Sequence, residues 1–160
     1  MGRNVSRCAR WEPVPHRSSS AVTVGVLGMG RIGTAVAASL GALGFKVCGW
    51  SRTAKPAPGV EAFGGTAGLR DMVRQSQVLV CTLPLTDETA FIVNDELLAA
   101  LPRGAFFVNV GRGQHVDEEA LLRSLDSGQL SGAFLDVFAQ EPLPAGHPFW
   151  HHPRVQVTPH

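Results

Sequence analysis

Short apolar runs alternate along most of the chain with segments whose apolar residues recur at helical spacing. The runs predict strands at residues 22–27, 46–50, 60–63, 78–82, 105–109, 133–137 and 155–158. The segments between them predict helices at residues 31–43, 69–75, 94–100 and 117–127. Continuous apolar runs suit strands that are covered on both faces. Strand–helix alternation on this period predicts an α/β fold with a doubly wound parallel sheet.

Local signals place several of the helix ends. Gly44 follows the first predicted helix and suits the left-handed residue beyond a helix C-terminus. Asn94 can cap the third helix, and Asp117 opens the fourth with further acidic residues, which suits the positive end of the helix dipole. Residues 32–45 carry no charge, which predicts that the first helix is buried. The same stretch is too short to span a bilayer.

The composition describes one ordinary globular domain. The chain has 160 residues, of which 44% are hydrophobic and 17% are charged, and its net charge is +1. This balance gives no reason to expect binding to nucleic acid or to an anionic membrane. Cys8, Cys48 and Cys81 are odd in number and widely spaced. Such spacing suits reduced thiols in the cytoplasm and argues against a disulfide framework or a zinc site.

The sequence VLGMGRIG directly follows the first predicted strand and opens the first predicted helix. Its first glycine permits a tight turn, its second lets the backbone approach a pyrophosphate, and its third lets the helix pack on the strand. The N–H groups and the dipole at the helix start favour phosphate. This context predicts dinucleotide binding in a Rossmann-type fold. The predicted cofactor contacts are Gly28, Met29, Gly30, Arg31, Ile32 and Gly33.

The second strand ends in GWSRT, where an NAD-binding fold usually has an acidic residue for the ribose 2′-hydroxyl. Ser51 stands near that position and is neutral. Arg52, Thr53 and Lys55 supply donors and positive charge that would bind a 2′-phosphate. NADP(H) is therefore favoured and NAD(H) remains possible. The alternative for this segment is a solvated basic turn.

Arg112 lies in the sequence VNVGRGQHVDE, which begins at the end of a predicted strand. Sheets of this kind bind ligands at that edge. A guanidinium between Gly111 and Gly113 could hold a carboxylate through two parallel hydrogen bonds. A purely structural arginine in a glycine turn is the alternative.

Two later strands also end in polar residues. Asp136 ends the strand before FAQEPLP, which contains Glu141, and His160 follows the last strand in VTPH. A histidine at a strand end, with a carboxylate from another loop, is the arrangement of an oriented general acid/base. For the loop carboxylates, simple solvation is the alternative. No such setting is present for His115, His147, His151 and His152, which could be solvated or capping residues.

Taken together, the motifs resemble the nucleotide-binding domain of the D-isomer-specific 2-hydroxyacid dehydrogenases. The resemblance covers residues 11–160 and rests on VGVLGMGRIG, LPLTDET, VNVGRG..VDE, LDVFAQEPLP and PRVQVTPH, which follow the family's order and spacing. WSRT, WEPVP and EPLP..HPFWHHPRVQVTPH look most like the glyoxylate/hydroxypyruvate reductase A subgroup. The resemblance therefore implies reduction of a small 2-keto acid, such as glyoxylate or hydroxypyruvate, to the D-2-hydroxy acid, with hydride from NADPH.

The resemblance assigns roles to individual residues. It implies that Arg112 binds the substrate's carboxylate and carbonyl, that His160 passes the proton, and that Glu141 holds the imidazole. It also implies that Asp136 holds the nicotinamide amide. The remaining cofactor-lining residues would be Leu83, Pro84, Thr89, Val110 and Gly111. A phosphoglycerate-type or other NAD-dependent member is the alternative among enzymes.

Family members insert this nucleotide-binding domain into a substrate domain. Here we expect residues 1–20 to be a tail or linker remnant, and residues 21–160 to be the dinucleotide-binding domain, truncated at its C-terminal edge. We expect the full-length form to be a homodimer. The 160-residue chain should bind NADP(H) weakly and have little or no reductase activity. The rival class is therefore a non-catalytic, self-associating NADP-binding fragment.

Overall fold

The computed structural model describes residues 18–160. Most of the predicted tail, residues 1–17, lies outside the described residues. A short 3-10 turn, Ser19–Ala21, leads into the first strand.

A seven-stranded sheet organises the described residues. The strands are β1 Thr23–Leu27, β2 Lys46–Ser51, β3 Val60–Gly64, β4 Val78–Cys81, β5 Ala105–Asn109, β6 Leu130–Leu135 and β7 Val155–Val157. Their order is β3-β2-β1-β4-β5-β6-β7, and every neighbouring pair is parallel. The prediction of a Rossmann-type doubly wound sheet is confirmed. The chain reverses direction across the sheet between β1 and β4, and such a switch point forms a ligand crevice at the carboxyl ends of the strands.

Four helices connect the strands, and their ends follow the local signals. They are α1 Arg31–Ala42, α2 Gly65–Gln75, α3 Asp95–Ala100 and α4 Glu118–Asp126. The Asn94 side chain accepts a hydrogen bond from the Leu97 N–H at 3.1 Å, which caps α3 as predicted. Asp117 caps α4 in the same way, at 3.0 Å from the Ala120 nitrogen. Gly44, beyond α1, has the positive φ of 86° expected there.

The core is unequal on the two faces of the sheet. A large cluster that includes Phe107, Leu121 and Phe149 packs with α2, α3 and α4, whereas a small cluster around Val26 and Ala37 packs with α1. The prediction that α1 is buried is wrong. Only Gly33 and Ala37 are buried in this helix, because its other side meets no element of the described residues.

Two elements differ from the prediction by more than one residue at an end, because glycine within a strand or helix resembles a turn. Helix α2 begins at Gly65, four residues before the predicted start at residue 69. Strand β6 begins at residue 130 and ends at residue 135, earlier at both ends than predicted. Its Gly132 lies beneath an aromatic ring, since a Cβ there would be 2.7 Å from Cε2 of Phe106. The glycine in β6 therefore serves packing rather than chain reversal.

None of the helices in residues 18–160 has the length and apolar character needed to cross a membrane.

Candidate active site

The polar residues that the sequence singled out collect at one edge of the sheet. Parallel strands end at the same edge of a sheet. Here, backbone hydrogen bonds between neighbouring strands continue for one residue beyond the strand ends. The donors are the N–H groups of Gly28, Val110, Asp136 and Thr158, and the acceptors are the carbonyls of Trp50, Cys81, Asn109 and Leu135. The loops after β1, β2, β4, β5, β6 and β7 therefore surround a common crevice.

The glycine turn between β1 and α1 is packed tightly on its inner side. Gly28 has a φ of 99°, and a Cβ there would meet the backbone nitrogen of Leu83 at 3.0 Å. A Cβ on Gly33 would be 1.8 Å from the Gly28 carbonyl oxygen. That oxygen also accepts a hydrogen bond from Thr82 Oγ1 at 2.8 Å. These contacts match the turn and helix-packing functions predicted for the first and third glycines.

The outer side of the same turn is open. A Cβ on Gly30 would meet no atom within 4 Å, although Gly30 is the N-cap of α1. No side chain caps this helix, so the N–H groups of its first turn have no side-chain acceptor. Open space in front of uncapped N–H groups fits the pyrophosphate of a dinucleotide. The residues present therefore suit the cofactor that the motif predicts.

Two predicted contacts in this region face inward. The Met29 side chain is buried, and a Cβ on Gly49 of β2 would be only 2.4 Å from its sulfur. Any contact of Met29 with a cofactor would therefore involve its backbone. Leu83 is also buried and lies against the glycine turn. Arg31 and Ile32, in contrast, are exposed at the start of α1.

The loop after β2 presents the predicted 2′-phosphate residues at the crevice. The Ser51 hydroxyl donates to the Thr53 carbonyl at 2.7 Å. Arg52 Nη1 lies 3.1 Å from Oε2 of Glu88, which belongs to the loop after β4. The ion pair therefore links the loops on either side of the glycine turn. Both side chains are largely exposed, at 83% and 69%, so solvent weakens the pair.

Thr89 stabilises the loop after β4 through hydrogen bonds within that loop. Thr89 Oγ1 donates to the Pro84 carbonyl at 2.8 Å and accepts from the Thr86 N–H at 2.8 Å. These bonds lie within the loop, so Thr89 holds the shape of the segment in which Pro84 is exposed.

Arg112 projects from a turn whose backbone is packed on both sides. A Cβ on Gly113 would be 1.8 Å from the carbonyl carbon of Phe138, and one on Gly111 would be 3.1 Å from the His115 ring. Gly113 is therefore required by close backbone packing, whereas Gly111 fits tightly between the His115 ring and the Leu83 carbonyl. The Arg112 side chain is exposed, and its Nη1 donates to the Gly111 carbonyl at 2.7 Å.

His160 and Glu141 form the pair expected of an oriented acid/base. His160 Nδ1 lies 2.9 Å from Oε2 of Glu141, and Glu141 Oε1 accepts the Phe138 N–H at 3.0 Å. The pKa of Glu141 is lowered, first by the hydrogen bond from His160 and then by the Phe138 N–H and the charge of Arg112. The carboxylate is therefore ionised at neutral pH.

Asp136 faces the loop after β7. Its Oδ1 accepts a hydrogen bond from Thr158 Oγ1 at 2.5 Å. This bond ties the end of β6 to the segment that leads into His160.

His115 is the site residue that sequence reasoning missed. It is fully buried, and its Nδ1 accepts the Arg112 N–H at 3.1 Å. Burial lowers the pKa of His115, and the nearby Arg112 charge lowers it further. Cys81 lies beside the ring, at 3.7 Å from Nδ1, and burial raises the pKa of this thiol to about 11. The spacing Arg112-x-x-His115 was the available signal, but nothing in the sequence shows that the ring turns inward.

Two other histidines of the described residues form local contacts. His147 Nδ1 accepts the Phe149 N–H at 3.3 Å, which caps a short turn, and its Nε2 contacts Glu118 at 3.2 Å. His152 contacts Asp126 at 3.3 Å. In residues 18–160, no group of three or more His, Cys, Asp or Glu side chains is arranged to hold a metal ion.

A sequence model described as "D-isomer specific 2-hydroxyacid dehydrogenase, NAD binding domain" matches residues 2–160. Among curated proteins, the glyoxylate/hydroxypyruvate reductase A of Salmonella choleraesuis is 50% identical over 152 residues. That match covers 95% of this chain and 49% of the reductase. The chain thus spans about half the length of the curated relatives it matches.

Solved structures agree with the fold. A D-isomer-specific 2-hydroxyacid dehydrogenase from Xanthobacter autotrophicus, in complex with NADPH and MES, is 49% identical with a TM-score of 0.94. The match covers 98% of this chain and 50% of that one. An NADPH-dependent glyoxylate/hydroxypyruvate reductase from Sinorhizobium meliloti, in complex with NADP and sulfate, is 42% identical with a TM-score of 0.92. It is matched over 97% of this chain and 50% of its own length.

Proposed function

This chain belongs to the family of D-isomer-specific 2-hydroxyacid dehydrogenases, and we propose that its chemistry takes place at the carboxyl edge of the sheet. The proposed reaction is reduction of a small 2-keto acid, such as glyoxylate or hydroxypyruvate, to the D-2-hydroxy acid. The observation that carries this proposal is the hydrogen bond of 2.9 Å between His160 and Glu141. The pair lies at the same sheet edge as Arg112 and the glycine turn.

In this proposal the glycine turn binds the cofactor. The N–H groups at the start of α1, beside the open space at Gly30, would hold its pyrophosphate. NADPH, when bound there, supplies the hydride. The residues that would line the rest of the cofactor remain those predicted from sequence, namely Leu83, Pro84, Thr89, Val110, Gly111 and Asp136.

His160 acts as the general acid. Its Nδ1 is engaged by Glu141, which leaves Nε2 to face the carbonyl oxygen of the substrate. Protonated His160 donates from Nε2 as the alkoxide forms, and general acid catalysis of this kind contributes about 10²–10⁴-fold. The ionised Glu141 carboxylate stabilises the imidazolium and fixes the ring orientation.

Arg112 binds the substrate carboxylate and stabilises the developing alkoxide. One of its N–H groups is held by the Gly111 carbonyl, and a guanidinium has five N–H donors in a fixed fork. The remaining donors can bind a carboxylate through two parallel hydrogen bonds. A fixed cation near the reacting oxygen also lowers the barrier, because charge develops there in the transition state.

We infer that NADP(H) is preferred to NAD(H). The loop after β2 offers Ser51, Arg52 and Thr53, and β2 does not end in a carboxylate that would repel a 2′-phosphate. The exposed contact of Arg52 with Glu88 is worth at most about 1 kcal/mol, so a phosphate can displace it. The NADPH and NADP in the Xanthobacter and Sinorhizobium relatives support the same preference.

A second candidate function is a non-catalytic, self-associating NADP-binding module. The exposed apolar side of α1 favours it, because Ile32 and Leu43 are 63% and 67% exposed. Apolar surface of this kind promotes association, and in a full-length form it would support a homodimer. We propose that residues 21–160 form the dinucleotide-binding domain in either case, with residues 1–20 as a tail. The free thiols of Cys48 and Cys81 suit a cytoplasmic location.

Two assays on the 160-residue chain separate these functions. NADPH binding is followed by fluorescence, and turnover is followed as glyoxylate-dependent oxidation of NADPH beside the Sinorhizobium reductase. We expect NADPH binding with little turnover, since about half of each relative lies outside the match. Turnover comparable to that of the relative would exclude the non-catalytic module. Absence of NADPH binding by the folded chain would contradict both functions.

A further inference from the structure

The peptide groups around Arg112 are held by two buried side chains. Asn109 Oδ1 accepts the Gly111 N–H at 3.1 Å, and Asn109 Nδ2 donates to the Arg112 carbonyl at 3.0 Å. His115 Nδ1 accepts the Arg112 N–H at 3.1 Å. Both Asn109 and His115 have no exposed surface. The backbone of Arg112 is therefore fixed at its N–H and its carbonyl.

The guanidinium is tied to the same turn. Arg112 Nη1 donates to the Gly111 carbonyl at 2.7 Å, so its position depends on the orientation of the Gly111–Arg112 peptide group. The N–H of that peptide group is the one that His115 accepts. One hydrogen bond to a buried ring thus helps to orient the exposed cation.

The protonation state of His115 follows from this bond. An Nδ1 that accepts a backbone N–H carries no proton, so the neutral ring holds its proton on Nε2. Nε2 has no hydrogen-bond partner in the described residues. The Pro84 backbone lies close enough to the ring to limit the lowering of the His115 pKa. It does not, however, form a hydrogen bond of normal geometry with Nε2. A buried donor without a partner is costly, and an apolar side chain would avoid that cost.

We propose that His115 is a positioning residue for Arg112, whose neutral imidazole holds the arginine turn in the orientation that receives the substrate carboxylate. This role rests on the proposed function of Arg112 as the carboxylate-binding residue. The acceptor at Nδ1 is the feature that histidine supplies and that an apolar residue of similar size lacks. Displacement of a substrate-binding group by about 1 Å can cost about 10²-fold in rate.

The matched variants are His115→Asn and His115→Leu. Asn and Leu have the same branched shape, but Asn places an oxygen acceptor near the position of Nδ1 where Leu places a methyl group. Both variants remove the imidazole, so a general loss of packing affects both. They differ in the acceptor and in the amide NH₂ group, which Asn has where Leu has its second methyl group.

The readouts are NMR measurements on the 160-residue chain, with urea unfolding as the control for stability. We expect hydrogen exchange of the Arg112 backbone N–H to be at least about tenfold faster in His115→Leu than in His115→Asn. Arg112 Nε–H relaxation should show a more mobile guanidinium in His115→Leu alone. Equal exchange and equal mobility in the two variants would overturn the proposal. If His115→Leu does not fold, the ¹⁵N spectrum of the wild-type His115 ring tests the proposal instead. A proton on Nδ1 at neutral pH would overturn it, because a protonated Nδ1 cannot accept the Arg112 N–H.

Titration with oxamate, an unreactive analogue of a small 2-keto acid, distinguishes this inference from the proposed function. The titration uses a hybrid protein in which residues 21–160 replace the matched half of the Sinorhizobium meliloti reductase, so that the other half of that relative is present. In the presence of NADPH, we expect oxamate to shift the Arg112 Nε–H signal, with about tenfold weaker binding in His115→Leu than in His115→Asn. Equal affinities in both variants and in the wild type would refute positioning by His115. If oxamate leaves the wild-type Arg112 signal unchanged, the carboxylate-binding role of Arg112 fails, and the exchange data still judge the His115 contact.

Discussion

Alanine substitutions at Gly30 and Gly33 should separate the two functions of the glycine turn. A methyl group on Gly30 enters open space where the pyrophosphate is proposed to lie. A methyl group on Gly33 would be 1.8 Å from the Gly28 carbonyl oxygen and 2.8 Å from Thr82 Oγ1. The first change should therefore weaken cofactor binding, and the second should destabilise the fold.

The magnitudes follow from these distances. At Gly33, alanine gains about 1 kcal/mol of helix propensity. Two effects oppose this gain. Overpacking destabilises the fold by roughly 1–3 kcal/mol or more, and distortion of the hydrogen bond from Thr82 costs about 1 kcal/mol. A net loss of about 2 kcal/mol lowers Tm by roughly 4–8 °C in a domain of this size. At Gly30, the poorer N-cap and the stiffer unfolded chain nearly cancel, so Tm should stay within about 2 °C of wild type.

Circular dichroism melting and NADPH fluorescence titration measure the two effects on the same samples. We expect Gly30→Ala to raise the Kd for NADPH at least about tenfold, which corresponds to about 1.4 kcal/mol. Gly33→Ala should show the lower Tm. Wild-type NADPH affinity in Gly30→Ala would refute the position assigned to the pyrophosphate. A wild-type Tm in Gly33→Ala would refute the packing argument.

Further substitutions and a pH series test the remaining assignments. Arg52→Ala should narrow the gap between the NADPH and NADH affinities by about 1.5–3 kcal/mol, and an unchanged ratio in fluorescence titrations would exclude the 2′-phosphate contact. In an active two-domain protein, Arg112→Ala should lower kcat and raise KM. Glu141→Gln in the same protein should shift the pH at which turnover changes, rather than lower turnover equally at every pH. The pKa of buried His115 is lowered from 6.5, so the unfolded chain binds a proton at this residue before the folded chain does. The free energy of unfolding should therefore decrease as the pH is lowered through about 6.5. The lowered pKa of Glu141 should decrease the free energy of unfolding further once the pH is lowered through about 4.5. Urea midpoints that stay constant from pH 7 to pH 5 would contradict the assignment for His115. Cys81, with its pKa of about 11, should resist iodoacetamide in the native chain, as judged by peptide mass spectrometry.

Sequence reasoning located the glycine turn through local signals, and it paired Glu141 with His160 through the family resemblance. The glycines of VLGMGRIG, the polar residues at strand ends and the caps Asn94 and Asp117 are set by spacing within a few residues. Neighbouring parallel strands bring the loops after β6 and β7 to one edge, where Glu141 and His160 form a hydrogen bond of 2.9 Å.

Features that depend on distant contacts could not be predicted in the same way. The ring of His115 is buried because β4 and the loop after it cover that ring, and no local pattern near residue 115 indicates this contact. Arg52 and Glu88 belong to different loops that face each other across the turn after β1. The exposure of α1 depends on what packs against its outer side, and its uncharged sequence suggested burial.

The most direct test of the proposed chemistry is glyoxylate-dependent oxidation of NADPH by a hybrid protein in which residues 21–160 replace the matched half of the Sinorhizobium meliloti reductase. The hybrid restores the half of that relative that lies outside the match. We predict NADPH-dependent turnover that falls by about 10²–10⁴-fold in kcat on His160→Ala, with the Kd for NADPH unchanged. Turnover of the His160→Ala hybrid close to that of the unsubstituted hybrid would contradict the account.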